Sequence, residues 1–149
     1  MPATIRQATV GDVDDLAPLF DAYRQFYAQS GDLQLARQFL ADRFRHREST
    51  IFLAHEASGE AIGFTQLYPS FTSAGCARIY ILNDLFVAPA HRGKGVARAL
   101  LEAAADFGRT MGAVRLTLST GVANQPAQAL YVRAGWRRNE AFVTYNFGL

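Results

Sequence analysis

The stretch Leu85-Phe-Val-Ala-Pro-Ala-His-Arg-Gly-Lys-Gly-Val-Ala-Arg-Ala-Leu-Leu101 joins a strand pattern to a helix pattern through two glycines. The first amides of a helix have no partners inside it, and the helix dipole adds partial positive charge there. Gly93 and Gly95 let the chain turn tightly and let a bulky anion approach the main chain. Arg92, Lys94 and Arg98 add positive potential, and Val96 and Ala97 supply further amides. Together residues 92–98 form a seat for a pyrophosphate. The same glycines would also serve a plain strand-to-helix connection. Two familiar phosphate loops are excluded on spacing. No Ser or Thr follows Lys94 as a Walker A loop needs, and Arg98 stands where a dinucleotide fingerprint needs a small residue.

The elements that must hold this turn are legible from periodicity. Thr4–Ala8 is a short strand. Asp12–Tyr27 has the apolar spacing of a helix, with either Thr9 and Asp12 as a capping pair or Asp12 itself as the cap, and Pro18 as a kink risk. A second helix covers Leu33–Phe44. Strands follow at Thr50–His55, Ala61–Tyr68 and Arg78–Val87, the last ended by Pro89. Val96–Met111 is amphipathic and Gly112 ends it. Arg115–Thr120 alternates as a strand. Asn124 caps a short helix with Pro126 in its first turn and Gly135 after its last. Ala141–Leu149 is expected to be a terminal strand whose edge can pair with a second copy. The order gives a single α/β domain over residues 1–149 with a mixed sheet.

Composition narrows the function. The chain has 149 residues, half of them hydrophobic and 19% charged, which is ordinary for a globular domain. Net charge is +2, and the arginines are spread without a dense run, so nucleic acid is not the expected partner. No apolar run is long enough for a membrane span, and the start Met1-Pro-Ala-Thr-Ile-Arg lacks the apolar core of a secretory leader. A cytoplasmic protein is the expectation. Cys76 is the only cysteine, so a disulfide framework and a multi-cysteine zinc site are excluded, and a lone thiol is expected to be buried. His46 and His55 show no ligand spacing, and no metal is expected. His91, beside the glycine turn, is expected to meet phosphate or solvent.

Val87-x-Pro89 followed by Arg92-x-x-Gly95-x-Ala97 resembles the acyl-CoA-binding motif of the GNAT superfamily of N-acetyltransferases. A second block, Asn124, Ala127, Leu130-Tyr131 and Gly135-Trp136, resembles another motif of that superfamily at the expected distance. Leu82-Asn-Asp-Leu-Phe-Val87 looks like the branch that acetylates polyamines, thialysine and small amines. The resemblance implies a mostly antiparallel mixed sheet with a central, splayed parallel pair, Arg78–Val87 and Arg115–Thr120, and helices on both faces.

It also implies a reaction. Acetyl-CoA would lie between the splayed strands, its pyrophosphate on the amides of Arg92, Gly93, Lys94, Gly95, Val96, Ala97 and Arg98. Its pantetheine arm would pair with Leu85, Phe86 and Val87, and Asn124 would hold the arm from the other side. A primary amine would attack the thioester directly, with an amide near Leu85 or Phe86 stabilising the oxyanion. Tyr131 would protonate the leaving thiolate, since a phenol of pKa near ~10 stays protonated at neutral pH. At the base this sequence departs from the pattern: the polyamine branch often has a glutamate where Asn83 stands, and asparagine takes no proton. Asp84 can act as base, through water, or anchor a cationic substrate, or cap a neighbouring loop. Strict alternation puts Asn83 and Asp84 on opposite faces.

Tyr23, Phe26, Tyr27, Tyr68 and Phe71 can line the acceptor pocket or belong to the core. Asn83, Asp84, Tyr27 and Phe71 are the substrate-binding expectation. The Arg43–Arg47 cluster is a solvated helix end or a carboxylate site, the latter favouring an amino acid over a polyamine. The leading expectation is acetylation of a small-molecule amine, with protein N-termini or lysines as the alternative acceptor and a non-catalytic acyl-CoA sensor as the alternative class. Relatives of this kind are often dimers.

Overall fold

The computed structural model describes residues 2–149. They fall into two compact units, one reaching to Ser119 and one from Thr120 to Leu149. The first holds a five-stranded sheet in chain order: β1 (Thr4–Gln7), β2 (Thr50–His55), β3 (Ala61–Thr72), β4 (Ala77–Val87) and β5 (Leu116–Thr117). Neighbours pair antiparallel except β4 and β5, which are parallel.

Helices α1 (Val13–Phe26) and α2 (Leu33–His46) cover one face of this sheet, and α3 (Val96–Thr110) covers the other. Alternation in β2 makes both cores: Ile51 and Leu53 turn toward α1 and α2, Phe52 and Ala54 toward α3. Leu16, Leu40, Ile51, Leu53 and Phe64 are fully buried, and truncating any of the leucines to alanine would cost about 2–5 kcal/mol.

Local chemistry explains the helix ends. A short 3-10 turn, Val10–Asp12, leads into α1, and the Thr9 amide donates to Asp12 Oδ2 at 2.7 Å. Pro18 does not break α1. It lies on the exposed side between buried Ala17 and Leu19, so the carbonyl it leaves unpaired faces water. Asp32 caps α2 by accepting from the Leu35 amide at 3.0 Å. Asp21 ties the two helices together, accepting from the Asp32 amide at 3.0 Å and from Arg24 at 2.8 Å. Those bonds, the Asp32 amide foremost, hold the Asp21 carboxyl below its ordinary value.

Three expectations are corrected. Strand pairing at Arg115–Thr120 is confined to Leu116 and Thr117, opposite Tyr80 and Ile81. Ala141–Leu149 forms no strand, and Phe142, Val143, Tyr145 and Phe147 are exposed. Cys76 is exposed, at φ +49° in the turn between β3 and β4, where the tight reversal leaves no interior to enter. In the second unit, α4 (Gln125–Arg133) is capped by Asn124, whose Oδ1 accepts from the Ala127 amide at 3.3 Å. Gly135 follows at φ +94°, where glycine is free of strain. Among the described residues no helix is long and apolar enough to cross a membrane.

Candidate active site

β4 is the element on which the site is built. Thr65, Phe64 and Gly63 of β3 pair with Leu85, Phe86 and Val87 along one edge. On the other edge β5 engages only Tyr80 and Ile81. Leu82–Val87 therefore has a backbone edge that no described strand covers, along which an extended ligand can pair beside the Val87 carbonyl that Arg92 already engages. The cause lies next to Leu82. Leu67 pairs with Leu82 but Gln66 pairs with Asp84, so Asn83 is an extra residue, a β-bulge. Bulges bend a strand and sharpen its twist, which turns β4 away from β5 at this point.

The bulge also overturns the expectation that Asn83 and Asp84 face apart. Asn83 Nδ2 donates to Asp84 Oδ1 at 2.9 Å. Asp84 is 2% exposed and lies on the α1–α2 face beside Gln66, whose Nε2 donates to Asp84 Oδ2 at 2.5 Å. The Tyr23 hydroxyl reaches across from α1 and donates to the Asn83 carbonyl at 3.2 Å. Burial, reinforced by the nearby Asp84 carboxylate, pushes the Tyr23 phenol well above the ordinary tyrosine range. Tyr68 is raised in the same way, with Arg43 opposing. Both phenols are thus fixed as neutral donors around one buried carboxylate. Tyr27 stands at the rim, its ring 5.0 Å from that of Tyr23, and Phe64 and Phe86 wall the other side of Tyr23.

This cluster of anion and aromatic faces suits a cationic amine. The structure gathers Asn83, Asp84, Tyr23, Tyr27 and Tyr68. It does not gather Phe71, which pairs with Arg78 near the β3–β4 turn, is 66% exposed and lies under the Arg78 guanidinium. Phe26 is exposed beside Tyr27. Gln66 was not legible as a site residue, because nothing in sequence spacing pairs it with Asp84. Only the register of β3 on β4 does so.

The glycine turn has the expected form. Gly93 and Gly95 sit at φ +75° and +82°, and a Cβ at either would point into open space. Gly95 is the N-cap of α3 and brings no side chain to its first amides. Those N–H groups have no acceptor inside the helix and can donate to an anion. Arg92 turns the other way, its Nε donating to the Val87 carbonyl at 2.8 Å, so it locks the end of β4 to the turn. Arg98 pairs with Glu102 at 3.2 Å, which tempers its charge. His91 does not meet solvent or a phosphate seat as expected. Its Nδ1 is 2.9 Å from Glu56 Oε1 and its Nε2 4.0 Å from Glu60 Oε2, which ties the β2–β3 turn to the segment ahead of α3.

In the second unit Tyr131 is half-buried on α4, its ring 6.2 Å from Trp136. Asn124 spends its Oδ1 on the α4 cap and keeps its amide nitrogen as a donor.

A family model described as the acetyltransferase (GNAT) family matches residues 14–136. An uncharacterized N-acetyltransferase, YhfO, of Bacillus subtilis is 50% identical over 141 residues, covering 95% of this chain and 94% of its own. A probable acetyltransferase of Haemophilus influenzae is 34% identical over 120 residues, covering 80% of this chain and 78% of its own. Among solved structures, the crystal structure of a probable acetyltransferase superposes with a TM-score of 0.93 at 41% identity, over 98% of this chain and 97% of that one.

Proposed function

The chain belongs to the acetyltransferase (GNAT) family, whose members take their acetyl group from acetyl-CoA, and from that premise we propose that it acetylates the primary amine of a small molecule by direct attack in a ternary complex. One observation carries the reading. A glycine-turned helix start with open amides stands at the end of an uncovered strand edge, and a buried carboxylate lies on that same strand.

In this reading the amides of residues 93–98 hold the pyrophosphate of acetyl-CoA, helped by Lys94 and Arg98. The absence of a Cβ at Gly93 and Gly95 leaves room for it. Each bond to a charged oxygen contributes about 1.5–3 kcal/mol. Arg92 acts indirectly, by fixing the turn on β4. The backbone of Leu85, Phe86 and Val87 pairs with the pantetheine arm as an added strand, and the Asn124 amide donates to it. Asp84 attracts the ammonium and receives its proton, directly or through water. Asn83 and Gln66 hold that carboxylate in place, and Tyr27 borders the entry. The freed nitrogen attacks the thioester carbon and forms the C–N bond, giving a tetrahedral oxyanion that a main-chain amide near Leu85 or Phe86 stabilises. The nitrogen gives its second proton to water, and the C–S bond breaks as the carbonyl re-forms. Tyr131 gives its proton to the sulfur and regains one from solvent. The same reading has the protein acting in the cytoplasm as a pair of copies, which the exposed apolar side chains of Ala141–Leu149 support.

CoA release followed with a thiol reagent tests the proposal across free amines, polyamines, aminoglycosides and peptides. Turnover on free amines is expected, with Asp84→Asn lowering kcat by about 10²–10⁴-fold. Turnover on peptides alone, or CoA binding with no turnover on any amine, contradicts it.

A further inference from the structure

Three buried side-chain polar atoms find no hydrogen-bond partner among the described residues: Arg43 Nε, Ser49 Oγ and Gln66 Oε1. Folded chains rarely leave such atoms unpaired, because each forfeits its bonds to water. All three border one strip of the sheet beneath α1 and α2. Gln66 and Tyr68 share this face of β3, two residues and about 7 Å apart. Thr50 pairs with Leu67, so the register brings Ser49 beside Tyr68. Arg43, in the last turns of α2, is near enough for its charge to act on the Tyr68 phenol, which Asp84 also influences. Tyr68 is thus within reach of both the carboxylate's charge and the guanidinium's.

The two ends of the strip have opposite character. Asp84 and Gln66 Oε1 are acceptors, suited to an ammonium. Arg43 Nε and Ser49 Oγ are donors, suited to an anion. Arg43 is held over the Phe39 ring, 4.4 Å from its centre, which fixes the direction of the fork. Arg43 Nε already forms an ion pair with Glu48 Oε1 at 3.2 Å, outside hydrogen-bond alignment, and because the Glu48 side chain is 53% exposed it can give way to a substrate carboxylate.

We propose that the acceptor is an amine bearing a carboxylate several bonds from the nitrogen, its ammonium on Asp84 and Gln66 and its carboxylate on Arg43 and Ser49. The proposal rests on the small-amine reading above and narrows it. A simple α-amino acid carries both charges on one carbon and cannot span the strip. A diamine brings a second cation against Arg43, which like-charge repulsion disfavours.

The test is steady-state CoA release with 5-aminopentanoate, cadaverine and glycine, on the wild type, Arg43→Met and Arg43→Lys. The wild type should favour 5-aminopentanoate over both others by about tenfold or more in kcat/KM, the worth of one charge-assisted pair. Arg43→Met should cut that preference over cadaverine by about tenfold, mainly through KM, and Arg43→Lys should restore part of it. Cadaverine or glycine used as well as 5-aminopentanoate overturns the proposal and leaves the small-amine reading standing. Equal losses on 5-aminopentanoate and cadaverine in Arg43→Met also overturn it. No turnover of any free amine removes both.

Discussion

Asn83 and Asp84 are adjacent residues that an unbroken strand would point apart, yet Asn83 Nδ2 binds Asp84 Oδ1 because one extra residue sits in β4. The acid was legible as a residue type next to the motif. Its surroundings were not, because a bulge of ordinary residues leaves no mark in periodicity. Gln66 and Arg43 reach the same face through register and helix packing, which are properties of the fold. A second acid makes a testable case at this scale. The Arg6 hydrogen bonds, against the cost of burial and with help from the Thr9 amide, hold the Asp12 carboxyl at about 2. A depressed acid stabilises the fold fully above its unfolded value, near ~4, and loses that contribution as pH falls toward 2. Denaturant unfolding of wild type and Arg6→Gln should therefore differ by about 1–2 kcal/mol at pH 7, allowing for solvent around half-exposed Arg6, and converge only below about pH 2. An equal difference at both pH values would remove the ion pair as its cause.

Helices were the elements most legible in the sequence. The cap at Asn124 and the glycines before α3 carry a local chemical signature, and α1 to α4 begin within a residue or so of where apolar spacing and those signals put them. Strand ends depend on partners instead. β3 runs past Pro69 to Thr72 because Pro69 lies beyond the last β2 pair, Thr50 with Leu67, and its missing N–H costs no bond to β2. β5 stops after two residues where the bulge bends β4 away. Ala141–Leu149 has the alternation of a strand without a ladder to join. One close approach governs the β3–β4 pairing that carries the site. A Cβ on Gly63 would stand 2.9 Å from the Phe86 carbonyl oxygen, a backbone atom that cannot step aside alone. Gly63→Ala should lower stability by about 1–3 kcal/mol and shift the unfolding midpoint down by several degrees. An unchanged midpoint would mean that the two strands have slack at this position.

At the scale of the whole molecule, the family was legible because its two motifs are local: one is a strand, a turn and a helix start, the other a single short helix. A net charge of +2 without clustering fits a protein that binds one anionic co-substrate at a dedicated seat. The acceptor was not legible, since the groups that would recognise it are drawn from α1, α2, β3 and β4 and the residue just before β2. The central claim is that CoA is held through the main chain at the start of α3, and nitrogen–proton correlation spectra of the labelled protein test it most directly. Titration with CoA should move the amide signals of residues 93–98, and pantetheine, which lacks the pyrophosphate, should leave them nearly still while moving Leu85–Val87. Saturable CoA binding with the signals of residues 93–98 unmoved would contradict the account.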